Sequence, residues 1–219
     1  MKKDSLDNYE SQEWRLRLRF LADITFATAM TIMILNIEIP DFGHITDTKE
    51  LAVFLGKQLS NMWAFFIAFI VIAVYWMKHL EHYSSILIVN QTFIWLQILF
   101  LASIMLIPFW NTYISHFPDN IAIKIFLSAN MVLVGLFSFL SVNYAANKKH
   151  RLIRSDVDEK KISESKKQIL TEPIIAIIAA GLAFINVDLW DLAFILVPIL
   201  FMARKKLTTI KYFKIIKSK

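Results

Sequence analysis

Two short segments carry the polar side chains that stand out in a largely apolar sequence. Asp23 lies inside the first apolar stretch, and Trp76 and His79 end the second. A carboxylate accepts hydrogen bonds, an indole N–H donates one, and a histidine ring can do either. We therefore expect a hydrogen-bonded network that joins Asp23, His79 and Trp76 between two helices. A local ion pair of Asp23 with Arg19, an interfacial tryptophan and a solvated histidine are the simpler interpretations.

Metal and enzyme chemistry have little support in the sequence. His79, Glu81 and His82 could contribute to a metal site, but nothing else in the chain completes the closed ligand set of a structural metal. The chain has no cysteine, and the Walker loop, G-x-G-x-x-G, G-x-S-x-G and H-E-x-x-H motifs are missing. We expect no metal, no cofactor and no enzymatic activity. An intramembrane enzyme that uses His79 and His82 remains an alternative.

One face of the first apolar helix combines hydroxyl and aliphatic side chains. Thr28, Ile32 and Leu35 share a stripe at helical spacing, Thr31 borders it, and Glu38 continues it toward the end of the helix. Packing against another helix would explain this stripe, with the hydroxyls bonded to backbone carbonyls. A narrow pore would explain it too, with apolar rings that gate by dewetting and acids that gather cations at the outer mouth.

The helices that carry these residues are predicted to cross a membrane. Of the 219 residues 57% are hydrophobic and only 19% are charged, and the apolar residues are concentrated in blocks long enough to span a bilayer. The predicted fold is all-α, an integral membrane bundle of six helices in one domain, residues 1–219. We expect the spans at about residues 20–39, 59–77, 86–109, 121–145, 169–187 and 189–205, the last two forming a hairpin.

Lysine and arginine fix the predicted orientation. Twenty-one of the 24 lie on one side of the six spans, in the N-terminal arm 1–19, at Lys78, in the loop 146–168 and in the tail from residue 204, most of them in its final part 206–219. The positive-inside rule then places both termini in the cytoplasm. Attraction to anionic membrane lipid explains the basic segments as well, so we expect no nucleic-acid partner.

The arrangement of these residues resembles the transmembrane-protein-175 family, the potassium channels of endosomes and lysosomes and their bacterial relatives. That family opens its first helix with R-x-x-x-F-S-D, ends its second with W-x-x-H, and has a third helix that begins near an asparagine and ends in Pro-Phe. The corresponding residues are Arg17, Leu21, Ala22 and Asp23, then Trp76 and His79, then Asn90, Pro108 and Phe109.

The resemblance implies a potassium-permeable channel, a homotetramer whose central pore is lined by helix 1, in a bacterial inner membrane. It implies a pore constriction of Thr28, Ile32 and Leu35 and a hydroxyl layer at Thr31. The resemblance also implies that a structural network holds helix 1 in place; its members are Arg17, Asp23, Trp76 and His79.

Departures from the family pattern bear on selectivity. Leu21 and Ala22 replace the Phe and Ser of the first motif, and Thr28 stands where a bulky aliphatic gate is usual. A threonine ring is smaller and wetter, so dewetting there is weaker. The chain has no T-V-G-Y-G filter and no span with repeated arginines, so we expect neither a carbonyl filter nor voltage gating. A weakly selective cation or proton channel and a non-conducting scaffold remain alternatives.

Overall fold

The computed structural model describes residues 2–36, 47–154 and 157–193. Its regular elements are helical, and within these ranges it has no β-strand. The five long helices are α1, Lys2–Ile32; α2, Thr48–Tyr83; α3, Gln91–His116; α4, Ile121–Ala145; and α5, Glu159–Ala183. A short 3-10 helix, Met33–Asn36, continues α1, and residues 187–193 begin a further helical segment. The all-α fold class is therefore confirmed for the described residues.

Among the described residues, four segments are long and apolar enough to cross a membrane; they are Glu10–Leu35, Phe65–Tyr83, Gln91–His116 and Ile121–Ala145. The predicted span 169–187 lies largely within α5, whose first turns take up residues 159–168 of the predicted basic loop. Only residues 189–193 of the predicted last span are described, and the tail 206–219 lies outside the described residues. The six-span arrangement stays a prediction.

Local capping explains where the later helices begin. Asn90 accepts a hydrogen bond from the Phe93 amide at 3.0 Å at the start of α3, and Asn120 accepts one from the Ile123 amide at 3.3 Å at the start of α4. An asparagine before an apolar run satisfies an amide that the first helical turn leaves unpaired. These caps fix the short connections that turn the chain back on itself.

Polar contacts join α3 to α4 at three depths along the bundle. The Asn90 side-chain amide donates to the Tyr144 hydroxyl at 3.0 Å, Gln97 donates to Ser141 at 3.0 Å, and Asn130 donates to the Ser103 carbonyl at 3.1 Å. Gln97, Ser103, Asn130 and Ser141 are buried. Burying a polar group without a partner costs free energy, so these contacts favour one register of the two helices.

Helices α2 and α4 finish, and α3 begins, at one end of the bundle, which we call the basic end. Backbone contacts between two connections close this end. Ile86 and Ile153 form an isolated antiparallel bridge. The Leu87 amide donates to the Leu152 carbonyl at 2.8 Å, and the Arg154 amide donates to the Ser85 carbonyl at 3.1 Å. The connection between α2 and α3 is thus tied to the chain that follows α4.

Helices α4 and α5 approach each other closely at Gly135. A β-carbon added at Gly135 would lie 2.6 Å from Cγ and 2.7 Å from Cδ of Pro173. Gly135→Ala is therefore expected to separate the two helices and to destabilise the protein by about 1–3 kcal/mol through overpacking. The measurement is the thermal unfolding midpoint of the purified protein in detergent.

Gly181→Ala provides the matched control for Gly135→Ala. Nothing lies within 4 Å of a β-carbon added at Gly181, and alanine is the better helix former by roughly 0.5–1 kcal/mol. We expect this variant to be as stable as the parent protein or slightly more stable. Equal midpoints for the two variants would contradict the close α4–α5 contact.

Candidate functional site

Helix α1 presents two different faces to its surroundings. Ala22, Phe26, Ala29 and Met33 are each no more than 1% exposed, and they belong to the main hydrophobic core with residues of α2, α3, α4 and α5. Their spacing of three and four residues is that of a single helix face. This face attaches α1 to the rest of the bundle.

The opposite face of α1 is the one that carries the predicted constriction. Thr28, Thr31, Ile32 and Leu35 are all exposed in the single chain, Ile32 to 38% and Leu35 to 78%. Toward the basic end, Ile24 prolongs the same surface and is 64% exposed. Within the described residues, the stripe therefore contributes little to the packing of α1.

The hydroxyl of the predicted polar layer is bonded within α1. Thr31 Oγ1 donates to the Ala27 carbonyl oxygen at 2.7 Å, four residues earlier. A hydroxyl that donates to its own helix keeps its oxygen lone pairs for another group. Thr31 can therefore offer an oxygen to a cation or to water beside Ile32. The predicted outer-mouth residue Glu38 lies outside the described residues.

The Asp23–Trp76 contact joins α1 to α2 near the basic end. The Trp76 indole N–H donates to Asp23 Oδ1 at 2.9 Å across 53 residues of sequence. Both side chains are partly accessible, Trp76 to 36%. A hydrogen bond to a carboxylate is stronger than one between neutral groups, so this contact restrains α1 against α2 one turn before the exposed stripe begins.

His79 lies one turn beyond Trp76, but the described side chains pair it only with rings. It is 7% exposed, its ring is stacked on Phe100 with centroids 5.6 Å apart, and Phe26 of α1 and Tyr83 lie at 5.8 and 5.4 Å. Its Nε2 atom is buried without a hydrogen-bond partner in the described structure. His79 therefore contacts α1 by packing on Phe26.

Arg17 points to a different set of residues. Its guanidinium pairs with Glu13 at 2.7 Å, on an exposed surface, and lies 6.0 Å from the Trp14 ring. The structure thus brings Asp23 and Trp76 together and seats His79 nearby, while Arg17 is paired one turn earlier on its own helix. The four-residue network that includes Arg17 and His79 stays a prediction.

Trp76→Phe removes the N–H donor and keeps an aromatic side chain. We expect a loss of about 1 kcal/mol in stability, measured as a lower thermal unfolding midpoint in detergent. Trp95→Phe is the control, because Trp95 is 57% exposed on α3. A Trp95 variant that loses as much as the Trp76 variant would show that the indole ring, rather than the bond to Asp23, is responsible.

Two further clusters were not predicted from the sequence. Near the start of α4, Lys124 is 1% exposed and donates to Asp191 at 2.9 Å and to the Val187 carbonyl at 3.2 Å. At the basic end, Arg15 donates to the Ile86 carbonyl at 2.8 Å, and the Tyr83 hydroxyl donates to the Arg15 carbonyl at 2.7 Å. A lone lysine inside an apolar run was the available signal for the first cluster. The second joins segments 71 residues apart and has no local signal.

A family model and a known relative that this chain resembles are both described as potassium channels. Residues 17–108 match the family model described as "Endosomal/lysosomal potassium channel TMEM175". A potassium channel from Chamaesiphon minutus is 24% identical over 176 residues, which are 78% of this chain and 85% of that protein.

Solved structures share the fold. The crystal structure of a lysosomal potassium-selective channel TMEM175 homologue from Chamaesiphon minutus has a TM-score of 0.75 at 22% identity, covering 88% of this chain and 98% of that one. A variant of the potassium channel MtTMEM175, in complex with a nanobody–MBP fusion protein, has a TM-score of 0.59 at 14% identity, covering 87% and 93%. The resemblance seen in the motifs is confirmed: residues 17–108 match the TMEM175 family model, and the chain shares its fold with these solved structures.

Proposed function

We propose that this protein is a potassium-permeable cation channel that conducts passively through a tetrameric pore lined by α1. Thr28, Ile32 and Leu35 form the constriction, Thr31 supplies a layer of hydroxyl oxygens beside it, and Glu38 stands at the outer mouth. The proposed location is a bacterial inner membrane, which the chain crosses six times with both termini in the cytoplasm.

The observation that carries this proposal is the division of α1 into two faces. The face with Ala22, Phe26, Ala29 and Met33 is used within the chain, and the face with Thr28, Ile32 and Leu35 is left for something outside it. Thr25, Thr28 and Thr31 also add hydroxyl groups to this part of α1. A shared axis at which several α1 helices meet accounts for both the apolar and the hydroxyl side chains.

The geometry of α1 and the relatives both support an oligomer. One α1 helix has no partner of its own kind within the chain and cannot enclose a pore alone. The family model that matches residues 17–108 is described as a potassium channel, and so is the relative from Chamaesiphon minutus. A closed ring of identical subunits is the common arrangement of such assemblies.

The Asp23–Trp76 bond has a supporting role in this proposal. It restrains α1 against α2 at the end of the helix where the stripe begins. A pore whose width depends on the position of α1 needs such a restraint, because a shift of about 1 Å is enough to change the contacts that surround an ion. Asp23 and Trp76 are therefore positioning residues rather than ion ligands.

Thr28 favours a second candidate function, a weakly selective cation or proton channel on the same scaffold. Its side chain is exposed on the stripe, and it carries a hydroxyl where an apolar ring would exclude water more strongly. Selectivity for K⁺ then depends on Ile32 and Leu35. In the remaining alternative, a non-conducting scaffold, the same face of α1 serves only to pack against another helix.

Reconstitution in liposomes tests the proposal. The purified protein is reconstituted in vesicles of a bacterial polar lipid extract, and ion flux is recorded under a K⁺ gradient and then under an equal Na⁺ gradient. We expect strong K⁺ flux and weaker Na⁺ flux. Equal fluxes would favour the weakly selective channel, and a pH gradient then separates cation from proton conduction. Background flux from well-folded oligomers would overturn the channel assignment.

A further inference from the structure

A cavity of about 330 Å³ opens between α1 and the last turn of α2 at the basic end of the bundle. Two of its lining residues are arginines, Arg15 and Arg19, and the polar groups of Ser84 and His79 also line it. None of the described residues that line it is acidic. The cavity therefore has a formal charge of +2 without a carboxylate in its wall.

The three arginines of α1 do not all lie on the same side of the helix. Arg15 and Arg19 are four residues apart and share the face that lines the cavity. Arg17 lies between them in sequence and pairs with Glu13 instead. Arg19 is exposed, and it forms no ion pair with a residue that the structure describes.

Contacts with the neighbouring backbone fix the position of the Arg15 side chain. Its Nη1 donates to the Ile86 carbonyl at 2.8 Å, and its Nε atom is buried without a partner among the described residues. The Tyr83 hydroxyl donates to the Arg15 carbonyl at 2.7 Å and fixes α1 against the end of α2. A guanidinium already fixed in place loses less conformational freedom on binding.

We infer that this pocket binds the phosphate group of an anionic phospholipid, with Arg15 and Arg19 as its ligands. The guanidinium fork matches the oxygens of a phosphate. The volume is roughly ten times the share of one water molecule, which leaves room for a head group. Leu16 lines the same pocket, and Phe20 on the next turn is 64% exposed. These side chains offer an apolar surface to the first carbons of the acyl chains.

Binding there would reinforce the attachment of α1 to α2. Asp23, which accepts the Trp76 hydrogen bond, is one turn beyond Arg19. A phosphate held by α1 at the end of α2 would add a second restraint beside that bond. The effect of this restraint on conduction rests on the proposed function, whereas lipid binding itself does not.

The test uses the full chain in a neutral detergent, with short-chain phosphatidylglycerol as the ligand and the thermal unfolding midpoint as the measurement. We expect the midpoint to rise with lipid concentration. Arg19→Gln should weaken the apparent affinity roughly fivefold, since a basic residue near an anionic lipid surface contributes about 1 kcal/mol. Arg15→Gln is avoided as the main variant because it also removes the bond to Ile86.

Arg17→Gln is the matched control, with the same change of charge on the same stretch of helix. It should retain the affinity of the parent protein. Equal losses in both variants, or no response of the parent protein to the lipid, would overturn the pocket. Glycerol phosphate tests the source of the phosphate: an equal shift from it would overturn the assignment to a lipid. These results do not depend on ion flux, so a failure here is distinct from a failure of the channel proposal.

Discussion

Replacing Ile32 by Ala is expected to raise K⁺ flux through reconstituted protein and to reduce its preference for K⁺ over Na⁺. In the proposed tetramer this change removes apolar surface from four copies of the stripe at once, and each buried methylene corresponds to about 0.8 kcal/mol of hydration preference. If the substitution lowers the free-energy barrier to ion passage through the constriction by only about 1.4 kcal/mol, the flux rises about tenfold. The measurement is the initial rate of K⁺ and Na⁺ flux in matched vesicles.

Ile70→Ala is the control for this experiment. Ile70 lies on α2 and is 44% exposed, close to the 38% of Ile32, so the same atoms are deleted from a similarly accessible site. The proposal requires parent-like fluxes from this variant. If Ile32→Ala lowers stability and leaves flux at background, the stripe is a packing surface and α1 does not line a pore.

Asp191→Ala is expected to destabilise the protein more than any other single change considered. It leaves Lys124, which is 1% exposed, without the carboxylate that lies 2.9 Å from its Nζ. Breaking a buried ion pair by removing one partner costs about 3–5 kcal/mol. Because the Asp191 side chain is 49% exposed, we expect the lower part of this range. The measurement is again the thermal unfolding midpoint in detergent.

A second substitution separates the charge from the packing around it. In the double variant Asp191→Ala with Lys124→Met, no charge is left buried, and part of the stability should return. The Lys148–Glu159 pair is the control, since both its side chains are largely exposed, 89% and 77%. Glu159→Ala should change stability little, because water and salt screen an exposed ion pair. A similar effect at the two pairs would contradict the importance of burial at Lys124.

The sequence predicted best what depends on local pattern. The all-α fold class, apolar helices of membrane length and the family resemblance follow from apolar blocks and short motifs, and these are confirmed. The stripe of α1 was also visible, because Thr28, Ile32 and Leu35 recur at helical spacing. Periodicity gives the face on which a residue lies, but it does not say what covers that face.

The contacts that close the bundle could not be predicted in this way. Arg15 meets Ile86, and Lys124 meets Asp191, across 71 and 67 residues. Such pairs depend on how complete helices are placed, which no short window of sequence contains. Arg17 differs from these pairs, because Glu13, its partner, lies four residues earlier on the same helix. The network of Arg17 with Asp23 that the family resemblance implies stays a prediction.

The unbroken length of α1 has a mechanical consequence. A helix of 31 residues is roughly 46 Å long, which exceeds a ~30 Å hydrocarbon core by about 16 Å. In the proposed channel the basic end of α1 extends beyond the hydrocarbon core, and the stripe lies near the other end of the same helix. A tilt of about 5° about its midpoint moves each end by roughly 2 Å. A binding protein or a tether attached to the first turns of α1 would thus have direct mechanical access to Ile32, without any hinge between them.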